Sequence, residues 1–166
     1  MKKQSKDIKT PCLSIILPCY NVDKYIEKAL LSVINQTLKN IEIICINDGS
    51  NDKTFDIINK FALEDKRIKV FNQENQGQGV ARNNGIAYAT APYIAFMDPD
   101  DWVAIDMYEN LYNLIVLNDA DFVECDLNKY YETSGELKKV KFDYPAMENK
   151  IFNYKSDKNY VFKGTS

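Results

Sequence analysis

The chain has 166 residues, 45% of them hydrophobic and 27% charged, with a net charge of −3. These values suit one compact domain with a real core and give no general affinity for nucleic acid. The longest apolar runs are about five residues, far short of the roughly 20 that a membrane span requires, and the absence of histidine excludes Ser-His-Asp hydrolysis, Cys-His proteolysis and histidine-ligated zinc.

The first ten residues carry four lysines but no apolar h-region. They read as a flexible basic tail and not as a secretory signal. A weak electrostatic hold on an acidic membrane is the sharper alternative. Residues 13–19 form a short apolar run closed by a turn, which predicts a buried strand. The period then changes to helical over 23–36, with Ile26, Leu30, Val33 and Ile34 on one face and Asn21 as its expected N-cap. A second strand is expected over 41–47, and a helix over 52–64 with Phe55, Ile58 and Ala62 as its apolar stripe. Residues 67–72 alternate polar and apolar, so this third strand is half exposed and leaves room for a partner surface such as a second copy. A helix over 80–90 and a strand over 93–97 follow. Residues 103–117 predict a fourth helix with Tyr108, Leu111 and Ile115 facing inward. A fifth strand is expected over 121–131, then a turn at Ser134-Gly135 and a returning strand over 138–144.

Cys12, Cys19, Cys45 and Cys125 lie in or beside apolar strands with no CxxC pair. Buried reduced thiols are expected, in keeping with a cytosolic setting. Strands alternating with helices imply a mostly parallel α/β sheet. In such sheets ligands bind outside the carboxyl ends of the strands. Four polar motifs fall there: Pro18-Cys19-Tyr20-Asn21, Asp48-Gly49-Ser50, the stretch Gln73 to Gly79, and Asp98-Pro99-Asp100-Asp101.

The last motif carries the strongest chemistry. Three carboxylates in four residues repel one another unless a cation lies between them, and oxygen ligands suit Mg²⁺ or Mn²⁺. The alternative is that Asp100 or Asp101 caps a helix starting near Val103. Asp48 can accept from a nucleobase or ribose donor, or serve a turn. The glycine-bearing stretch with Gly77 leads into a helix whose free N–H groups suit an anion, and Arg82 can reach that ligand or pair with an acid of the knot. Tyr20 can stack on a base or be an ordinary rim aromatic.

These segments together resemble the nucleotide-binding part of family 2 glycosyltransferases, which have the GT-A fold. The resemblance rests on Ser14 to Asn21, Ser32 to Thr37, Ile44 to Asp52, Asn75 to Asn83 with Gly85, and Tyr93 to Asp101, and it covers about residues 12–130. It implies a nucleotide-sugar donor, usually a UDP-sugar, and inverting transfer to a hydroxyl of a glycan or lipid-linked acceptor in surface polysaccharide or lipooligosaccharide synthesis. It implies that Pro18, Tyr20 and Asp48 surround the base and that Arg82 lies near the donor. Asp98 and Asp100 then belong to a DxD motif, and Asp100 and Asp101 touch ribose and metal. The expected organisation is a basic tail (1–10), a nucleotide-sugar-binding α/β domain (11–132), and a hairpin opening an incomplete acceptor-side region (133–166). Localisation is expected to be cytoplasmic, with peripheral membrane contact as an option, and homodimerisation is compatible.

The family's general base is an acid downstream of the hairpin region. The chain's Glu64-Asp65 pair stands too early for it, so the base is expected beyond residue 166. That leaves a competing expectation, a segment that binds nucleotide sugar without transferring it. Two further α/β classes fit worse. A sugar-phosphate nucleotidyltransferase needs a Gly-rich loop where Tyr20-Asn21-Val22-Asp23 stands. A response-regulator-like phosphoacceptor places its acidic cluster after the first strand.

Overall fold

The computed structural model describes residues 10–140. Residues 1–9 of the predicted tail, and the parts of the predicted hairpin and acceptor-side region after residue 140, lie outside the described residues. The chain divides into two compact units, one ending at Asn110 and the other beginning at Leu111.

The first unit is built on β1 (Leu13–Cys19), β2 (Ile41–Asp48), β3 (Ile68–Gln73) and β4 (Tyr93–Phe96), with α1 (Ile26–Ile34), α2 (Thr54–Glu64) and α3 (Gln78–Tyr88) between them. All three pairings are parallel, and the order is β3-β2-β1-β4. Every residue of β1 and β2 is buried. Their near-continuous apolar sequence has this cause, since a central parallel strand is covered on both faces. β3 is only partly buried, as its alternation predicts.

Side-chain alternation splits the core in two. Leu13, Ile15, Leu17 and Cys19 of β1 pack with Ile43 and Cys45 of β2, with Ile26, Ala29, Leu30 and Val33 of α1, and with Ile58 of α2. The opposite face joins Ile16, Ile44 and Ile46 to Ala81 of α3. There α3 comes so near the sheet that a Cβ on Gly85 would lie 2.3 Å from Ile16 Cγ2. The apolar face of α2 is Ile58 with the half-buried Ile57, Phe61 and Ala62.

Strands β1, β2 and β3 step outward in one direction, and β4 then returns to the free side of β1. The order therefore reverses between β1 and β4, and a crevice opens at the carboxyl ends of such a pair. Ile16 pairs with Phe96, and the Met97 N–H donates to the Ile16 carbonyl at 3.1 Å. Two residues past that pair come Pro18 within β1 and Asp98 just beyond the end of β4.

α4 spans Met107–Asn118 and starts later than the predicted residue 103. The reason is tertiary. Val103 N–H donates to Ser32 Oγ (3.3 Å), the Ala104 carbonyl accepts from Gln36 Nε2 (2.6 Å) and the Ile105 carbonyl from Thr37 N–H (2.9 Å). These partners on and just after α1 hold the segment in a non-helical path.

In the second unit, β5 (Asn128–Tyr131) and β6 (Glu136–Lys139) form an antiparallel hairpin. The turn falls at Ser134-Gly135 as predicted, with Gly135 at φ +68° and its N–H bonded to the Tyr131 carbonyl at 2.8 Å. The predicted fifth strand is corrected. Only 128–131 is a strand, and it pairs with β6 in the expected hairpin. Residues 121–127 have no ladder partner among the described residues, and Phe122 and Leu127 are exposed. Cys19 and Cys45 are buried thiols, Cys12 is half-buried, and Cys125 is exposed, contrary to the expectation for all four.

Candidate functional site

β2 delivers Asp48 to the rim as a buried carboxylate. Burial would cost several kcal/mol without partners, and three donors compensate it. Oδ1 accepts from Gln73 Nε2 (2.7 Å) and Gln76 N–H (2.9 Å), and Oδ2 accepts from Gly77 N–H (2.9 Å). Gln73 is oriented in turn by Asn84 Nδ2, which donates to its Oε1 at 2.7 Å. Gly49 makes this possible. Its φ is +71°, and a Cβ there would lie 2.8 Å from Asn75 N. Only glycine lets the turn after Asp48 lie against the loop that leads into α3.

The exit of β1 is fastened to the start of α2. Asn21, at φ +50°, accepts from Asn51 N–H at 2.8 Å and donates its own N–H to Ser50 Oγ at 3.1 Å. Val22 N–H reaches Thr54 Oγ1 (2.8 Å), and Asp23 N–H reaches Asp52 Oδ2 (3.1 Å). Desolvation works against the Asp52 carboxylate, yet donors from Thr54 and Asp23 hold its pKa below the usual value. The expectation of Asn21 as the N-cap of α1 is corrected. The capping position is Tyr25, with no side-chain bond, because the Asn21 amide is captured by the Asn51 backbone.

At the exit of β4 the acidic knot is divided. Asp98 Oδ1 accepts from Arg82 Nη2 at 2.7 Å and from Gln78 Nε2 at 3.0 Å. Its carbonyl accepts from Asp101 N–H at 3.1 Å, closing a turn. Pro99 is buried and Asp100 is exposed. The carboxyl of Asp101 is pushed up, first by local desolvation and then by the charges of Asp100 and Asp98. Capping does not account for these acids, since α4 begins six residues after Asp101. Of the two roles expected for Arg82, pairing with an acid of the knot is the one found, and it neutralises one of the three carboxylates. Among the described residues, no three Cys, Asp or Glu side chains come together to hold an ion. Asp100 and Asp101 have no ion-pair partner among the described residues. That donor set fits a hard divalent cation completed by ligand and water, and does not fit a cage made by protein alone.

The rim encloses a cavity of about 420 Å³. Pro18 and Tyr20 come to it from β1, Asp48 from β2, Gly77 from the start of α3, and Asp100 from the exit of β4. These five site residues expected from sequence meet there. The other four do not line it: Asn21 is held by Asn51, Arg82 and Asp98 hold each other, and Asp101 lies beside Asp100. Pro99 of the acidic motif also lines the cavity, as do Val22, Asn75 and Gln78, which were not expected as site residues. Asn75 and Gln78 stand inside the glycine-bearing stretch that pointed to Gly77, and their adjacency to it was the available signal.

Residues 14–165 match the family model described as Glycosyl transferase family 2. The chain belongs to glycosyl transferase family 2. One family 2 relative, Glycosyltransferase GlyA of Streptococcus pneumoniae, is 42% identical over 123 residues, which is 74% of this chain and 18% of GlyA. The Minor teichoic acid biosynthesis protein GgaB of Bacillus subtilis is 42% identical over 103 residues, 60% of this chain and 11% of GgaB. Among solved structures, S. aureus TarS 1-349 in complex with UDP-GlcNAc superposes with a TM-score of 0.61 at 29% identity, covering 66% of this chain and 32% of that one. The mannosyltransferase PcManGT of Pyrobaculum calidifontis, in complex with GDP-Man and Mn²⁺, shares the fold with a TM-score of 0.61 at 22% identity, covering 68% of this chain and 34% of that one. The expected α/β GT-A architecture is therefore found. The chain spans less than a fifth of each of these two curated relatives and about a third of each solved chain.

Proposed function

We propose that this chain holds the donor of an inverting glycosyl transfer: a nucleotide-diphospho-sugar, in first place a UDP-sugar, whose sugar passes to an acceptor hydroxyl in surface-glycan synthesis. The observation that carries this reading is the meeting of Pro18, Tyr20, Asp48, Gly77 and Asp100 around one cavity.

Tyr20, Asp48, Gly77 and Asp100 each have a part in it. Tyr20 is 45% exposed, and its ring can stack on the base. Asp48 Oδ1 already takes two donors and Oδ2 one. A carboxylate oxygen accepts about two, so Oδ2 keeps capacity for one ligand N–H. Uracil offers such a donor at its ring imide, whereas cytosine and adenine present acceptors at the corresponding ring nitrogen. The start of α3 has no side-chain cap, and its residues Gly77 and Gln78 border the cavity. Its partial positive charge suits a diphosphate. Asp100 and Asp101 would hold Mn²⁺ or Mg²⁺ against that diphosphate. Bound there, the ion would offset the charge that builds on the leaving group as the sugar–oxygen bond breaks. Arg82 keeps Asp98 from adding a third repelling charge.

The complexes of TarS with UDP-GlcNAc and of PcManGT with GDP-Man and Mn²⁺ support the donor class and the ion. The role of GgaB in teichoic acid synthesis supports a glycan-type acceptor. Thermal unfolding with UDP-, GDP- and dTDP-sugars, each with Mn²⁺, tests the reading. Stabilisation following RT ln(1 + [L]/Kd) is expected for a UDP-sugar. A folded sample that no nucleotide stabilises would overturn it.

A further inference from the structure

Gln36 is a fully buried polar side chain that touches neither the cavity nor the acids. Its amide is nearly saturated. Nε2 donates to the Ser32 carbonyl at 3.0 Å and the Ala104 carbonyl at 2.6 Å, and Oε1 accepts from Tyr108 N–H at 3.0 Å. One side chain thus satisfies a carbonyl near the end of α1, a carbonyl of the segment after the acidic knot, and an N–H of the first turn of α4. That N–H is among those a helix cannot satisfy internally. Neighbouring groups pin the same segment. Ser32 Oγ accepts from Val103 N–H, Thr37 N–H donates to the Ile105 carbonyl, and the Lys28 ammonium lies 3.0 Å from the centre of the Trp102 ring.

The acidic loop therefore hangs between two fixed points. Upstream it leaves β4, which is locked to β1 as far as the Met97–Ile16 bond. Downstream it is pinned from Val103 onward. Resting on the donor-site reading above, we propose that Gln36 is a positioning residue for the cation site, fixing from beneath where Asp100 and Asp101 present their oxygens. A carboxamide is required for this, because two donors and an acceptor must project from one buried point. Groups that orient metal ligands through a second layer of contacts typically carry a 10–100-fold effect on metal affinity. The base side of the cavity, at Pro18, Tyr20 and Asp48, makes no bond to this system.

Calorimetry of UDP binding, with and without Mn²⁺, tests the proposal on wild type, Gln36→Met and Ser32→Ala, each checked for folding by near-UV circular dichroism. In Gln36→Met, UDP affinity without Mn²⁺ is expected to stay within about twofold, while the gain conferred by Mn²⁺ falls about tenfold or more. Ser32→Ala loosens the same segment with less risk to folding, and a loss of about threefold in that gain is expected by the same logic. A generally damaged protein would instead lose both affinities together, which overturns the positioning role. A folded Gln36→Met with the full Mn²⁺ gain also overturns it; should that variant not fold, an undiminished gain in Ser32→Ala does so. A wild type that binds UDP with no Mn²⁺ gain would instead overturn the cation-site reading on which the proposal rests.

Discussion

Arg82 Nη2 and Asp98 Oδ1 lie 2.7 Å apart, and this pair splits the acidic knot into one neutralised carboxylate and two with no ion-pair partner among the described residues. The two side chains are 35% and 44% exposed, so solvent screens most of their attraction. A double-mutant cycle of Arg82→Ala and Asp98→Ala, measured by urea unfolding, should give a coupling below about 1 kcal/mol. A much larger coupling would mean that the pair acts as a buried structural bridge and not as local charge control.

Tyr20→Ala should weaken UDP binding by about 1–3 kcal/mol, the usual worth of a base–aromatic stack, whereas Tyr20→Phe should be nearly neutral. Equal losses in the two variants would assign the effect to the hydroxyl and remove the stacking role.

Gly49→Ala should cost about 1–3 kcal/mol of stability, because φ +71° strains any side chain. The same change should weaken nucleotide binding, since the added Cβ pushes on Asn75 and so on the loop bonded to Asp48. Denaturation and calorimetry on one preparation would check both. A destabilised variant with unaltered UDP affinity would separate the turn from the site.

Glu42 sits at the opposite end of β2 from the site and gives a pH prediction. Desolvation pushes its carboxyl up, but Lys69 (2.5 Å), Ser14 (2.5 Å) and Thr90 outweigh burial and hold the pKa at about 2 instead of the ordinary 4.5. The folded value is the lower one, so the unfolded chain binds more protons between these limits, and stability rises with pH there. The contribution, on the order of 3 kcal/mol, is complete above about pH 4.5 and is lost as pH falls towards 2. Glu42→Gln should remove most of this slope in acid unfolding. A variant with the wild-type slope would assign it to other carboxylates.

Much of this was legible in the sequence, for local reasons. β1 and β2 announce themselves by runs such as Ile15-Ile-Leu17 and Ile43-Ile-Cys-Ile46, because central strands must be apolar on both faces. The alternation at Arg67 to Asn72 marked β3 as half exposed for the converse reason. The rule that ligands sit at strand ends brought Tyr20, Asp48 and Asp100 to one rim before any coordinates. The illegible parts depend on distant partners. Asn21 has the residue type of a cap, but Asn51, 30 positions away, takes its amide. The helical period runs back to Val103, yet Ser32, Gln36 and Thr37 claim the backbone there. Residues 121–131 alternate like a strand, but alternation names a face and not a neighbour, and only 128–131 finds one.

Isothermal titration of UDP into wild type and Asp100→Ala, each with and without Mn²⁺, addresses the central claim most directly, namely that the start of α3 and the β4 exit grip one cation-bound diphosphate. The expected result is tighter binding with Mn²⁺ in the wild type, and in Asp100→Ala a UDP affinity that no longer responds to the ion. An Asp100→Ala variant that keeps the whole Mn²⁺-dependent increment would contradict it.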